Sequence, residues 1–170
     1  MFRTAYATAA LVAATLSLPA ATATATADEN VGRSDACIAA NTTVAVQNAA
    51  RPINHLILGV TNIGGSPCTA YYYPRLRFDE AQSAAPAIED SRPQALVTIN
   101  PGETAYAGII TSAADNPDVI PARRLGVAFA ESDNNTYDGD SVTVDLPAGT
   151  TVGAATVTYW QRDANSALTY

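Results

Sequence analysis

Lysine is absent from the chain: its nine basic residues are all arginine. Histidine and tryptophan each occur once, and cysteine twice. These scarcities close off several kinds of chemistry. A zinc site would have one His and two Cys to draw on and would need carboxylates to complete it. A Ser–His–Asp arrangement would have to use His55, which opens a strand, and no G-x-S-x-G turn is present to raise a nucleophile. Redox chemistry of the C-x-x-C kind is not written into the spacing of Cys37 and Cys68. Nowhere is an apolar run long enough to span a bilayer. No helical period of useful length occurs either.

The N-terminus follows a different logic. "MFRTAYATAALVAATLSLPAATATATA" has Arg3 in a charged n-region, an apolar stretch from Ala9 to Leu18, and small A-x-A sites ending at Ala23, Ala25 or Ala27. This is the pattern of a secretory signal peptide, residues 1–27, with cleavage expected after Ala27. Cleavage leaves 143 residues, which suits one domain with a sizeable core. It also moves the formal charge from −7 to −8. An acidic surface repels phosphate backbones, so nucleic acid is not an expected partner. Residues 28–36, "DENVGRSDA", are polar and aperiodic and read as a flexible arm. In an oxidising compartment Cys37 and Cys68 are expected to form one disulfide. Closing a loop of ~30 residues restricts the unfolded chain by about 3.6 kcal/mol on the chain-entropy account.

From Asn41 onward the apolar residues alternate. Val44 and Val46 share a face, as do Leu56, Leu58 and Val60. Leu125, Val127 and Phe129 repeat the pattern, and so do Val142, Val144 and Leu146. "CTAYYYPRLRF" places Ala70, Tyr72, Leu76 and Phe78 on one side and Thr69, Tyr71, Tyr73, Arg75 and Arg77 on the other. "ATVTYWQ" sets Val157 and Tyr159 against Thr158 and Trp160. "NPGE" is a turn, with φ fixed at Pro101 and positive φ open to Gly102. Period-two strands with Gly, Pro, Asn and Asp between them predict an all-β domain over 37–170. The expected fold is an immunoglobulin-like antiparallel β-sandwich of seven or eight strands. The two long gaps, "DEAQSAAPAIEDSRP" and "SAADNPDVIPA", read as loops, where such scaffolds carry function.

At "TNIGGSPCTAYYYP" and "VTINPGETA" the chain resembles a family of small secreted actinobacterial proteins, the domain-of-unknown-function (DUF) 4232 family. Thr61, Asn62, Gly64, Pro67, Cys68, Thr69, Tyr73 and Pro74 match its first motif, and Pro101 and Gly102 its second. Ala70 stands where the family usually has Leu, and Tyr72 where it has Gly. The resemblance implies a secreted β-sandwich with a structural disulfide and supplies no catalytic residues. Asn62 and Gly64 suit a turn. Pro74 lacks an N–H and marks a bulge or an edge strand; a bulge at Tyr72 would flip the in/out parity on one side of it.

Four residue groups are candidates for function. Tyr71, Tyr73, Arg75 and Arg77 form an aromatic–cation stripe suited to sugar rings or peptide strands. Asp138, Asp140 and Asp145, in the acidic run "ESDNNTYDGDSVTVD", fit a calcium loop weakly, and Asp138-Gly139 reads more directly as a hairpin turn. Paired carboxylates of a glycosidase cannot be located from spacing. Arg123-Arg124, after a proline-containing loop, is bait for a trypsin-like protease or simply the start of a strand. The expectation is therefore a secreted, non-catalytic binding module for an extracellular protein or cell-wall glycan, with no cofactor. The alternatives are an adaptor subunit of a secreted complex, using the arm or an open sheet edge, and a secreted hydrolase or protease inhibitor.

Overall fold

The computed structural model describes residues 35–133 and 136–170, with backbone alone over 136–140. The signal peptide, and the arm up to residue 34, lie outside the described residues.

Six strands have seven or more residues: β2 (Thr42–Asn48), β3 (His55–Asn62), β4 (Cys68–Phe78), β7 (Thr104–Ile110), β9 (Arg124–Ala130) and β10 (Thr136–Asp145). Six are shorter: β1 (Asp35–Ala36), β5 (Ala87–Ile88), β6 (Val97–Ile99), β8 (Ile120–Pro121), β11 (Thr151–Val152) and β12 (Thr156–Thr158). The described strands thus number more than the seven or eight expected, because four of them are two-residue pairings, β1, β5, β8 and β11, of which β5 and β8 lie in the two long loops. One sheet runs β1-β4-β9-β10 with β6 also on β4, the other β2-β3-β7-β12-β5, and β8 pairs with β11. Pairing is antiparallel except for β1 with β4 and β5 with β12, which are parallel.

The alternation read from sequence sets the core. Leu56, Leu58 and Val60 of β3, Leu76 and Phe78 of β4, and Leu125, Val127 and Phe129 of β9 are buried together with Ala105, Ala107 and Ile109 of β7. One face of each strand is apolar, so a shift of one residue would turn that set outward; this fixes the register. Val44, Val46 and Val144 pack against the cluster from its margin. The Cys37–Cys68 disulfide forms as expected, and both residues are buried.

Asn62 makes the turn that the sequence suggested. Its Oδ1 accepts from Gly64 N at 2.8 Å, while its Nδ2 donates to Ser66 O at 2.8 Å and Ile99 O at 3.0 Å. The "NPGE" turn closes with Glu103 N donating to Asn100 O at 2.9 Å and with Gly102 at φ 83°. It leads from β6 in one sheet to β7 in the other.

Two expectations are corrected. Asp138-Gly139 is not a hairpin turn. It falls inside β10, between the pairs Thr136↔Ala130 and Ser141↔Ala128, so its turn chemistry serves a bulge in a ladder that continues on both sides. The alternation over Val157 to Trp160 does not separate an inner from an outer face: all four are buried. A short helix, α1 (Ala164–Ala167), packs on β7. It approaches so closely that a Cβ on Gly108 of β7 would lie within 3 Å of the Ala167 carbonyl.

Candidate functional site

The stretch that carries the tyrosines is also where β4 breaks its ladder. Tyr71 pairs with Ala130, and the next partners are Arg75 and Ala128, so four steps along β4 face two along β9. The bulge inserts two residues, an even number. Arg75 and Arg77 therefore stay on the side of Tyr71, and parity is kept rather than flipped. Tyr72 absorbs the excess chain with φ 52°, left-handed backbone that a residue with a Cβ enters at a cost. Its carbonyl accepts from Trp160 N at 3.0 Å, and its hydroxyl donates to Ser132 O at 3.0 Å. Tyr72 thus neither enters the core nor lies in a flat outer face. It is half-buried at a seam between β4 and the segment after β12.

The other members of the stripe do not form one open surface. The Tyr73 ring meets Tyr159 at 5.2 Å, tilted by 60°, and the Arg75 guanidinium lies over it at 4.2 Å. The Nη1 of Arg75 also donates to the Tyr73 hydroxyl. Tyr71 is half-buried, with its ring 6.3 Å from that of Tyr72, and Arg77 is exposed. The aromatic faces turn to one another and to Arg75, which leaves Arg77 as the outward member.

A second set of residues, drawn from the loop 79–93 and the segment after β12, assembles beside Tyr72. Glu89–Ser91 form one turn of 3-10 helix. Ser91 is fully buried; its Oγ accepts from Tyr159 N at 2.8 Å, and its carbonyl accepts from Gln161 Nε2 at 2.6 Å. This clamp holds the backbone of Tyr159 and the side chain of Gln161, on either side of Trp160. Arg92 Nη2 donates to the Tyr159 hydroxyl at 2.6 Å and to Glu89 Oε2 at 3.2 Å, while that hydroxyl donates to Glu89 Oε2 at 3.0 Å. The hydrogen bond to Tyr159 raises the pKa of Arg92 further, so the guanidinium is a permanent cation.

Between these groups lies a depression of about 160 Å³, bounded by Ala70, Tyr72, Arg92, Leu96, Tyr159 and Trp160 among others. Ala70 and Trp160 are buried, whereas Arg92 and Leu96 are exposed and stand at its mouth. Trp160 stacks on Phe129, with centroids 6.5 Å apart and planes 13° apart. Its Nε1 is buried without a hydrogen-bond partner, the sole such side-chain atom among the described residues. A larger depression of about 580 Å³, lined by Phe78, Pro86, Ile120, Val152 and several alanines, has Asp79 and Glu80 as its charged groups.

The remaining candidates are placed as follows. Both ring nitrogens of His55 face backbone carbonyls, Ile53 O at 2.7 Å and Tyr170 O at 3.4 Å. The side chains of Asp138 and Asp140 lie outside the described residues; Asp145 is exposed. Among the described residues no three His, Cys, Asp or Glu gather as a metal site. Arg123-Arg124 is pinned rather than free. The Asp79 carboxylate accepts from both backbone nitrogens at 3.2 and 2.9 Å, and their carbonyls take Leu146 N and Asp79 N at 2.8 and 3.0 Å.

Sequence reading did not single out Arg92, Tyr159 or Trp160. Arg92 lies near the end of the loop "DEAQSAAPAIEDSRP", which did read as a place for function. The adjacent Tyr159-Trp160, holding the chain's one tryptophan, was the other available signal.

A family model described as "Domain of unknown function (DUF4232)" matches residues 37–161. No curated protein matches the chain, and no solved structure does. Among the described residues, no helix is long and apolar enough to cross a membrane.

Proposed function

We propose, from the premise that this chain belongs to the DUF4232 family, that the mature protein is an exported, non-catalytic binding module. In this reading it holds a segment of another extracellular protein at the depression beside Tyr72. The observation that carries the proposal is the conformation of Tyr72. A tyrosine held at φ 52° is kept where glycine would be comfortable, and this residue lines the depression. Export is supported by the N-terminal signal pattern and by the buried Cys37–Cys68 bridge, which persists in oxidising compartments.

Two arrangements weigh against the competing roles. His55 faces two backbone carbonyls rather than a nucleophile and an acid. All four backbone polar groups of Arg123-Arg124 are spent internally, so the dipeptide is not presented as protease bait. A protein is preferred over a glycan because one face of the Tyr73 ring is covered by Arg75 and the ring packs against Tyr159, which reduces what it offers to a sugar. The depression itself is walled mainly by apolar side chains, which would leave sugar hydroxyls unpaired.

The test is affinity capture from the producing culture. Mature protein is immobilised beside its Tyr72→Gly variant, and bound proteins are identified by mass spectrometry. The reading requires a partner retained by the native protein and lost from the variant. Equal retention by both would remove the depression from the function.

A further inference from the structure

Resting on that reading, we infer that the depression beside Tyr72 is a subsite for the C-terminal residue of a polypeptide. Its apolar side chain would sit between Tyr72, Tyr159 and Trp160, and its carboxylate on Arg92. Four observations converge on this.

The first is size. A volume of about 160 Å³ is close to the ~150 Å³ cavity that is known to hold one benzene ring. One leucine- or phenylalanine-sized group fits, and a longer chain of rings does not. The second is the wall. Three aromatic residues from two separate segments line it, and one of them, Tyr72, is kept in left-handed backbone. The backbone could relax if that position were glycine, so the ring is held against a conformational cost.

The third is charge. Arg92 stands exposed at the mouth, and both of its hydrogen bonds among the described residues leave from Nη2. A guanidinium has five N–H donors in a planar fork, which leaves donors to meet a carboxylate side by side. Its ion pair with Glu89 is exposed on both sides, 61% and 68%, and such a pair yields readily to a competing anion. The fourth is Trp160, which lines the depression and whose Nε1–H is buried with no acceptor among the described residues. Native structures rarely leave such a donor unpaired. A peptide carbonyl or carboxylate oxygen entering here would supply the acceptor after a small movement of the ring.

The chain's single tryptophan is part of the wall, so its emission reports on the site directly. Excited at a wavelength where phenylalanine is transparent, the mature protein is titrated with N-acetylphenylalanine, its neutral amide, and N-acetylglycine. For a ligand of this size ordinary binding efficiency gives a Kd near about 1 mM. The expected result is a saturable change with N-acetylphenylalanine, weaker binding of the amide by about tenfold, and no response to N-acetylglycine. Arg92→Gln should bring acid and amide to the same affinity. Tyr72→Gly, with its fold checked by circular dichroism, should abolish the response to both.

No saturable change in the native protein would overturn the subsite. Equal affinity for acid and amide would overturn the carboxylate contact, and an unaltered Tyr72→Gly titration would overturn the location. If the probe binds but affinity capture yields no Tyr72-dependent partner, the subsite stands and the protein-binding role falls. If capture succeeds and the probe fails, the reverse holds.

Discussion

Replacing Tyr72 by alanine and, separately, by glycine isolates the backbone cost that the bulge imposes. Both variants lose the ring, its contact with Tyr71 and the hydrogen bond to Ser132 O. They differ in one respect: alanine keeps a Cβ at φ 52°, whereas glycine does not. In an ordinary strand glycine is the worse of the two by about 0.5–1 kcal/mol, because its unfolded chain is freer. In left-handed backbone the Cβ clash costs about 1–2 kcal/mol, which reverses the order. The net expectation is that Tyr72→Gly is more stable than Tyr72→Ala by about 1 kcal/mol, or about 3–5 °C in Tm for a domain of this size. Denaturant unfolding followed by Trp160 emission measures both variants on one probe. Tyr72→Phe serves as the control that removes the hydroxyl alone, costing about 0.5–1 kcal/mol. An alanine variant as stable as the glycine variant, or more so, would refute the left-handed assignment at position 72. The argument that its ring is retained at a cost would fall with it.

The other expectations concern the scaffold. Intact mass of the mature protein should show two protons fewer than the reduced form. Replacing both Cys37 and Cys68 by alanine should cost about 3–4 kcal/mol on the chain-entropy account, given their separation of 31 residues; a loss under about 1 kcal/mol would count against loop closure as the source. Asn62→Ala removes the buried bond to the Ile99 carbonyl along with two turn bonds and should destabilise by about 2–3 kcal/mol in urea, far more than an exposed asparagine. Glu103 accepts from Asn100 N and Nδ2, and Asp163 from Ser166 N and Oγ, and these bonds hold both carboxyls below their ordinary pKa. A depressed folded pKa contributes stability that is complete above the unfolded pKa, about 4, and lost as pH falls through the folded one. Melts from about pH 5 down to pH 2 should therefore fall, and less steeply in Glu103→Gln with Asp163→Asn; an unchanged acid limb in that double variant would contradict the assignment.

How far the fold could be read depended on what each strand has on its two faces. β3 and β9 have one core face, so Leu56, Leu58 and Val60, and Leu125, Val127 and Phe129, alternate in sequence as they do in space. The segment from Val157 to Trp160 is covered on both sides, and a pattern made by one-sided burial cannot describe it. Asp138-Gly139 failed for another reason. Turn propensity is local, while the register of β10 is set by its pairing with β9, and the dipeptide was taken into a bulge. The tyrosine stripe was legible as composition but not as geometry. Whether Tyr73 faces solvent depends on Tyr159, which lies 86 positions away in sequence. Arg92 carried no periodic signal at all, since its place is set by the buried hydroxyl of Ser91 gripping Tyr159 N.

The location of the candidate site follows from the way β4 changes partners. Its first three residues pair with β6, and the ladder from Tyr71 onward belongs to β9. On β9 the segment Ala128–Ala130 faces a bulge on each side, Tyr71 to Arg75 on β4 and Thr136 to Ser141 on β10. Both neighbouring ladders therefore loosen beside Phe129, the residue on which Trp160 stacks. A sheet interrupted on both flanks of one residue cannot close its surface there by strand pairing, and the gap must be finished by side chains. Tyr72 bridges it by tying its hydroxyl to Ser132 O beyond β9 and its carbonyl to Trp160 N. The same interruption leaves the depression that Tyr72, Tyr159 and Trp160 enclose. Shortening β4 by two residues within the bulge would restore a regular ladder and remove the depression together. The scaffold and the site can thus be separated only at the side chain of residue 72, the position where the family resemblance places glycine.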